Sequence, residues 1–211
     1  MAQQIRKLVV CGVGLIGGSF ALALKRAGVT SEVVGLGRSR QSLEAALQLG
    51  VIDSIGAEWR EALAGADLVL LAMPVGQMEV QMQALAPHLE AQTIVTDAGS
   101  TKSDVVAAAY RQLGARAGQF VPAHPIAGGE ASGVAAANAD LYRDQRVVIT
   151  PLAENPAAAI DLVRDVWTSC GAQVSSMTPV EHDRIFAAVS HLPHPLAFAL
   201  VHELMQRPNA E

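Results

Sequence analysis

The segment His124-Pro125-Ile126-Ala127-Gly128-Gly129-Glu130 places one imidazole ahead of a run of small residues. Histidine titrates near neutrality, so it suits proton transfer coupled to a redox step. The residues alone leave His124 open between a structural role and a catalytic one. Three other segments carry groups of the same kind. Asp97-Ala98-Gly99-Ser100-Thr101-Lys102-Ser103 offers a carboxylate, hydroxyls and an amine. Ser190-His191-Leu192-Pro193-His194 offers two imidazoles three residues apart, which share a helix face only if the helix continues past Pro193 and Pro195. Thr101 with Asp104 reads as a helix N-cap pair, which leaves Ser100 open between a site residue and plain loop.

The fourth segment is Gly12-Val13-Gly14-Leu15-Ile16-Gly17-Gly18-Ser19. It follows an apolar strand and opens a helix, as a dinucleotide-binding turn must. Gly12 permits the turn, Gly14 allows close approach of a pyrophosphate, and Gly17 lets the helix pack on the strand. Gly12, Gly14, Leu15, Ile16 and Gly17 are therefore expected at the cofactor, held on free amides at the positive end of the helix. Met73 and Pro74 close a later strand at the carboxyl edge, where open α/β sheets bind ligands. At the end of the second strand, Gly37 fills the slot where a carboxylate would select NAD. Arg38, Ser39 and Arg40 follow it and can bind a 2′-phosphate, which favours NADP over NAD.

The elements that must position these groups alternate. Strands are expected over residues 7–11, 32–36, 67–72, 93–96, 120–123, 146–150 and 172–177. Helices are expected over 15–27, 41–49, 77–85 and 103–113. A further helix is capped by Asn155 ahead of Pro156, with Ile160, Val163 and Trp167 turned inward. Uniformly apolar strands separated by helices indicate a mostly parallel α/β sheet of Rossmann type, covered on both faces. Thr178-Pro179-Val180-Glu181 reads as a capping box that starts a new apolar helical segment. The domain boundary is placed there: residues 1–178 as the dinucleotide-binding unit, residues 179–211 as the beginning of an all-helical unit.

Composition bounds the remaining possibilities. The chain has 211 residues, 51% of them hydrophobic and only 4% aromatic, so aliphatic side chains must fill the core. A net charge of −5 with no basic cluster argues against a nucleic-acid surface. Cys11 and Cys170 lie far apart, in no metal-ligand spacing, and read as core residues of a reducing, cytoplasmic compartment. No metal site is expected. Residues 8–24 carry no charge and follow Arg6 and Lys7, which mimics a signal sequence. Four interrupting glycines and the Lys25-Arg26-Ala27-Gly28 helix ending argue instead for a soluble unit without a membrane span.

Taken together, GVGLIGGS, the D-x-G-S-x-K segment at 97–102, HPIAG at 124–128 and SHLPH at 190–194 resemble the prephenate/arogenate dehydrogenase family of tyrosine biosynthesis. The resemblance covers nearly the whole chain. It implies oxidative decarboxylation of a cyclohexadienyl substrate, with hydride passing to NADP or NAD. It implies that His124 takes the C4 hydroxyl proton, that Ser100 bonds near the same hydroxyl, and that His194 meets the substrate side chain. It leaves prephenate and arogenate undecided. It also implies a longer helical domain that forms a homodimer and supplies a carboxylate-binding arginine. Arg207 matches no such position, so 179–211 is expected to be a truncated start. Without a partner, Ile185, Phe186, Val189, Leu196, Phe198, Leu200 and Leu204 would then be exposed. Two other readings stand beside this one: a reductase of the β-hydroxyacid or pyrroline-carboxylate type, and a non-catalytic NADP-binding module. His191 is expected to be a structural partner, Glu130 a solvated loop charge, and His88, His182 and His202 surface or packing residues.

Overall fold

The structure is a computed structural model and describes residues 4–207. Strands β1 (Ile5–Cys11), β2 (Thr30–Leu36), β3 (Ser54–Ile55), β4 (Leu68–Leu71), β5 (Ile94–Asp97) and β6 (Phe120–Val121) form one parallel sheet in the order 3-2-1-4-5-6. The chain reverses direction across the sheet between β1 and β4, which opens a ligand crevice at their carboxyl ends. Those ends are level, because Cys11 pairs with Leu71 and Leu71 with Asp97.

Both faces of this sheet are buried, which is why its strands read as unbroken apolar runs. Leu8, Val10, Leu68 and Leu70 pack on one side with α1 (Leu15–Arg26) and α6 (Ala157–Ser169), around Phe20 and Trp167. Val9, Cys11, Val69 and Leu71 pack on the other with α3 (Trp59–Leu63), α4 (Val75–Leu85) and α5 (Ser103–Leu113). Helix α2 (Arg40–Gln48) buries Leu43 and Ala46. Both cysteines are free and buried. The short elements β3 and α3 carry too few periodic residues to be visible in the sequence.

Three expectations about local structure are corrected. Residues 120–123 are not one strand. The chain leaves the first sheet at Pro122, which has no N–H to donate, and Ala123–Ile126 becomes β7 of a separate sheet. There β7 runs antiparallel to β8 (Arg146–Ile149), which runs parallel to β9 (Gln173–Ser176). His124 therefore sits on a strand opposite Val148. Pro125 is tolerated because β7 is an edge strand. Asn155 does not cap α6. Its side chain instead binds the backbone of Leu152, Gly118 and Phe120, and Pro156 holds the cap position. Thr101 does not cap α5 either, since a carboxylate from far along the chain does so.

That carboxylate comes from α7 (Pro179–Phe186). The capping box at its start is present, with Thr178 and Glu181 bonded reciprocally. A π-turn at Ala187–His191 follows, closed by Leu192 N–H to the Ala187 carbonyl at 2.9 Å, and α8 (Pro193–Met205) continues. Pro193 and Pro195 cannot donate, so the regular ladder is interrupted where SHLPH lies. Pro179–Met205 is long and apolar enough to cross a membrane by length and composition. Its start is nevertheless tied into the protein, because His182 is fully buried.

Candidate active site

The glycine turn joins β1 to α1. Gly12 has a φ of +97°, and a Cβ there would lie 2.6 Å from the Ala72 carbonyl oxygen. A Cβ on Gly17 would lie 2.3 Å from the Gly12 oxygen. Gly14 differs: a Cβ on it would meet nothing within 4 Å. It is the N-cap of α1, without a side-chain cap and without an acid in the first turn. The open space and the unclaimed amides fit a dinucleotide pyrophosphate.

A cavity of about 730 Å³ opens from this turn. Of the residues expected at the cofactor, Gly12, Gly14, Arg38, Ser39, Met73 and Pro74 line it. Leu15, Ile16, Gly17 and Arg40 do not line it. Arg40 pairs with Glu44 on α2 at 2.8 Å, and Ser39 also caps that helix through the Ser42 N–H. The cavity has walls that the sequence reading missed: Trp59, Gln77, Gln81 and Glu58. Trp59 donates its indole N–H to Gln81 at 3.1 Å.

His124 lies at the same carboxyl edge, one residue beyond a clamp. Lys102 and Asp97 form a fully buried ion pair. The Asp97 Oδ1 accepts the Ala123 N–H at 3.0 Å, its Oδ2 accepts the Gly99 N–H at 2.8 Å, and Lys102 Nζ donates to the Ala123 carbonyl at 2.8 Å. Burial pulls the Lys102 pKa down, and the adjacent Asp97 charge opposes it. The same segment carries Ser100, exposed in the β5–α5 loop.

His182, expected at the surface or in packing, is fully buried and packs on Phe186, and it also contacts His124. Its Nε2 lies 2.9 Å from Nδ1 of His124, and its Nδ1 lies 2.9 Å from Oδ1 of Asp183. Phe186 packs edge-on to His124, with ring centroids 5.2 Å apart. Phe186 thus belongs to the site rather than to the exposed helix face. Asp183 Oδ1 also accepts the Lys102 N–H, and Oδ2 the Ser103 N–H, each at 2.8 Å, so it caps α5. Burial raises the Asp183 pKa, but the donors from Ser103, His182 and Lys102 outweigh it and hold the carboxyl at about 2. Burial first, and then the nearby Lys102 charge, take His124 down to about 3 against the opposing pull of Asp183. Burial lowers His182 as well, against the pull of Asp183. Both imidazoles are neutral at neutral pH, and a neutral imidazole can accept a proton.

His191 is half-buried in the π-turn, and Glu130 is exposed. The backbone of His194 falls in α8, while its side chain lies outside the described residues. Among the described residues no cluster of three metal-ligating groups occurs. His182 and Asp183 escaped the sequence reading because their partners lie 58 and 81 residues away. The one available signal was their place just inside the capping box, in the rigid first turns of a helix.

Residues 20–176 match the family model described as prephenate dehydrogenase, nucleotide-binding domain, and residues 178–211 match prephenate dehydrogenase, dimerization domain. The chain is 36% identical over 210 residues to a prephenate dehydrogenase of Bacillus subtilis, covering 99% of this chain and 56% of that protein's length. It superposes on the prephenate dehydrogenase of A. aeolicus, solved with hydroxyphenyl propionate and NAD+, with a TM-score of 0.91 at 35% identity, covering 99% of this chain and 72% of the other. The arogenate dehydrogenase of Synechocystis gives a TM-score of 0.83 at 29% identity over 96% of this chain and 70% of that one. A pyrroline carboxylate reductase from Plasmodium falciparum, 13% identical with a TM-score of 0.65, shares the fold alone. By sequence and by structure, this chain belongs to the prephenate dehydrogenase family.

Proposed function

We propose that the chain carries the catalytic half of an NAD(P)-dependent oxidative decarboxylase acting on prephenate, giving 4-hydroxyphenylpyruvate. The observation that carries this reading is the neutral, half-buried His124, bonded through Nδ1 to His182. Such an imidazole holds its second nitrogen ready to accept a proton. A bound nicotinamide dinucleotide supplies the hydride acceptor, on the glycine turn and in the cavity lined by Met73 and Pro74. As C4 of the substrate loses hydride, its hydroxyl gains carbonyl character and the proton passes to Nε2 of His124. Loss of the C1 carboxylate as carbon dioxide returns an electron pair to the ring. The proton then goes back to the oxygen and leaves a phenol. Ser100 bonds near that hydroxyl. The buried Asp97–Lys102 pair holds the backbone that carries His124.

Arogenate is the second reading, favoured by the likeness to the Synechocystis enzyme. NADP is proposed over NAD because Arg38 and Ser39 line the cavity beyond Gly37. Glu58 also lines it and opposes that preference, so Arg38→Ala should weaken NADP more than NAD, and Glu58→Gln should do the reverse. The division at residue 178 into dinucleotide and helical units is likewise proposed. It is supported by the capping box at Thr178 and by the break between the two family models. A homodimer through α7 and α8 is proposed, since Val180, Val189, Leu196, Phe198, Leu200 and Met205 are exposed.

The chain spans 56% of the length of its Bacillus subtilis relative, so its own activity needs direct test. Each dinucleotide is mixed with prephenate or arogenate and formation of reduced cofactor is followed. Turnover is expected with at least one pair. Tight dinucleotide binding without turnover on either substrate would favour a non-catalytic binding module.

A further inference from the structure

We infer that His182 and Asp183 are positioning residues that hold His124 in a single tautomer, with the proton on Nδ1 and Nε2 bare. The catalytic meaning of this inference rests on the function proposed above, but the tautomer itself does not.

The assignment follows from donor and acceptor capacity. Asp183 accepts from the Lys102 N–H, the Ser103 N–H and Nδ1 of His182. An ionised carboxylate can only accept, so Nδ1 of His182 must carry a proton. His182 is fully buried beside the Lys102 cation and stays neutral, so its Nε2 has a lone pair and no proton. The 2.9 Å contact from that Nε2 to Nδ1 of His124 then needs the proton on His124. A neutral His124 protonated at Nδ1 has a bare Nε2, and only that nitrogen can take a proton from substrate. The same logic orients the imidazole of hydrolase triads, with a second imidazole here between carboxylate and base.

The geometry that enforces this is rigid. The capping box fixes the first turn of α7, and the His182 N–H is bonded to the Thr178 carbonyl at 2.9 Å. Phe186 packs on both rings, with centroids 4.5 Å from His182 and 5.2 Å from His124. By capping α5, Asp183 also ties the end of the Ser100 loop to the group that sets the base. One carboxylate thus aligns two elements of the proposed site.

Asp183→Asn separates positioning from mere packing. An amide at 183 with its nitrogen in the place of Oδ1 keeps accepting the Ser103 N–H through its oxygen and donates to Nδ1 of His182, giving up the bond from the Lys102 N–H. That moves the His182 proton to Nε2, which then donates to His124 and forces the His124 proton onto Nε2. Long-range proton–nitrogen NMR on protein labelled with 15N-histidine reads this directly, with His124 signals assigned by their loss in His124→Asn. Wild type should show His124 protonated at Nδ1. Asp183→Asn should invert it and lower kcat by about 10²–10⁴-fold with KM little changed. His182→Gln, whose carbonyl can still accept from His124, should keep the wild-type tautomer and most of the rate, whereas His182→Phe should lose both. A wild-type His124 protonated at Nε2, or a tautomer unmoved by Asp183→Asn, would overturn the inference. The tautomer is read without substrate, so absence of wild-type turnover would count against the proposed reaction alone.

Discussion

The ammonium of Lys102 donates to the carbonyl of Ala123 at 2.8 Å, one residue ahead of His124. Asp97 accepts the N–H of the same residue at 3.0 Å. A buried ion pair therefore grips both backbone polar groups of the residue that precedes the proposed base.

Lys102→Met should test that clamp. It leaves Asp97 buried without its counter-charge, which costs about 3–5 kcal/mol. Urea unfolding should show a loss of that size. A loss below about 1 kcal/mol, as for an exposed pair, would mean that the pair is not holding the strand.

Two glycines in the same turn should respond in opposite ways. In Gly17→Ala the new methyl meets the Gly12 oxygen and Val10, so stability should fall by about 1–3 kcal/mol. In Gly14→Ala the methyl enters open space, so the thermal midpoint should be unchanged. That methyl occupies the room left for pyrophosphate, so the dinucleotide Kd should rise about tenfold or more. Unchanged binding in Gly14→Ala would place the phosphates elsewhere.

Acid should destabilise the fold above the range where carboxylates titrate. In the unfolded chain, histidines bind protons near pH 6.5. In the folded protein His124 does so only at about 3, and His182 also below its ordinary value. Between pH 6.5 and about 5 the unfolded state thus binds more protons, and stability must fall as pH falls. The slope is up to about 1.4 kcal/mol per pH unit for each such histidine. Denaturant melts from pH 7 to 5 should show it, with a shallower slope in His124→Asn. A flat profile in the wild type would contradict neutral burial of the pair.

Much of this was legible before the structure. The β1 strand, the glycine turn and the α1 start are local signals, and they stand where the residues placed them. Helix α5 spans the expected residues 103–113, but its cap does not come from Thr101. Asp183 reaches it from 80 residues further on, and no local pattern reports that. His182 shows the same limit. Within α7 it looks like an apolar-face residue, and only the fold brings His124 against it. The break at Pro122 was hidden because 120–123 is a continuous β-forming run, and only pairing decides which sheet each residue joins.

Ser100→Ala should lower turnover less than loss of the imidazole, since in the proposed reaction the hydroxyl only assists a proton that His124 removes. An equal or larger loss would reverse the two roles.

The most direct measurement compares wild type and His124→Asn for reduced-cofactor formation from prephenate or arogenate, alongside dinucleotide binding. Asparagine removes the proton acceptor at Nε2 and leaves the glycine turn untouched. The rate should drop by about 10²–10⁴-fold while the dinucleotide Kd stays as in wild type. Near-normal turnover in His124→Asn would contradict the account.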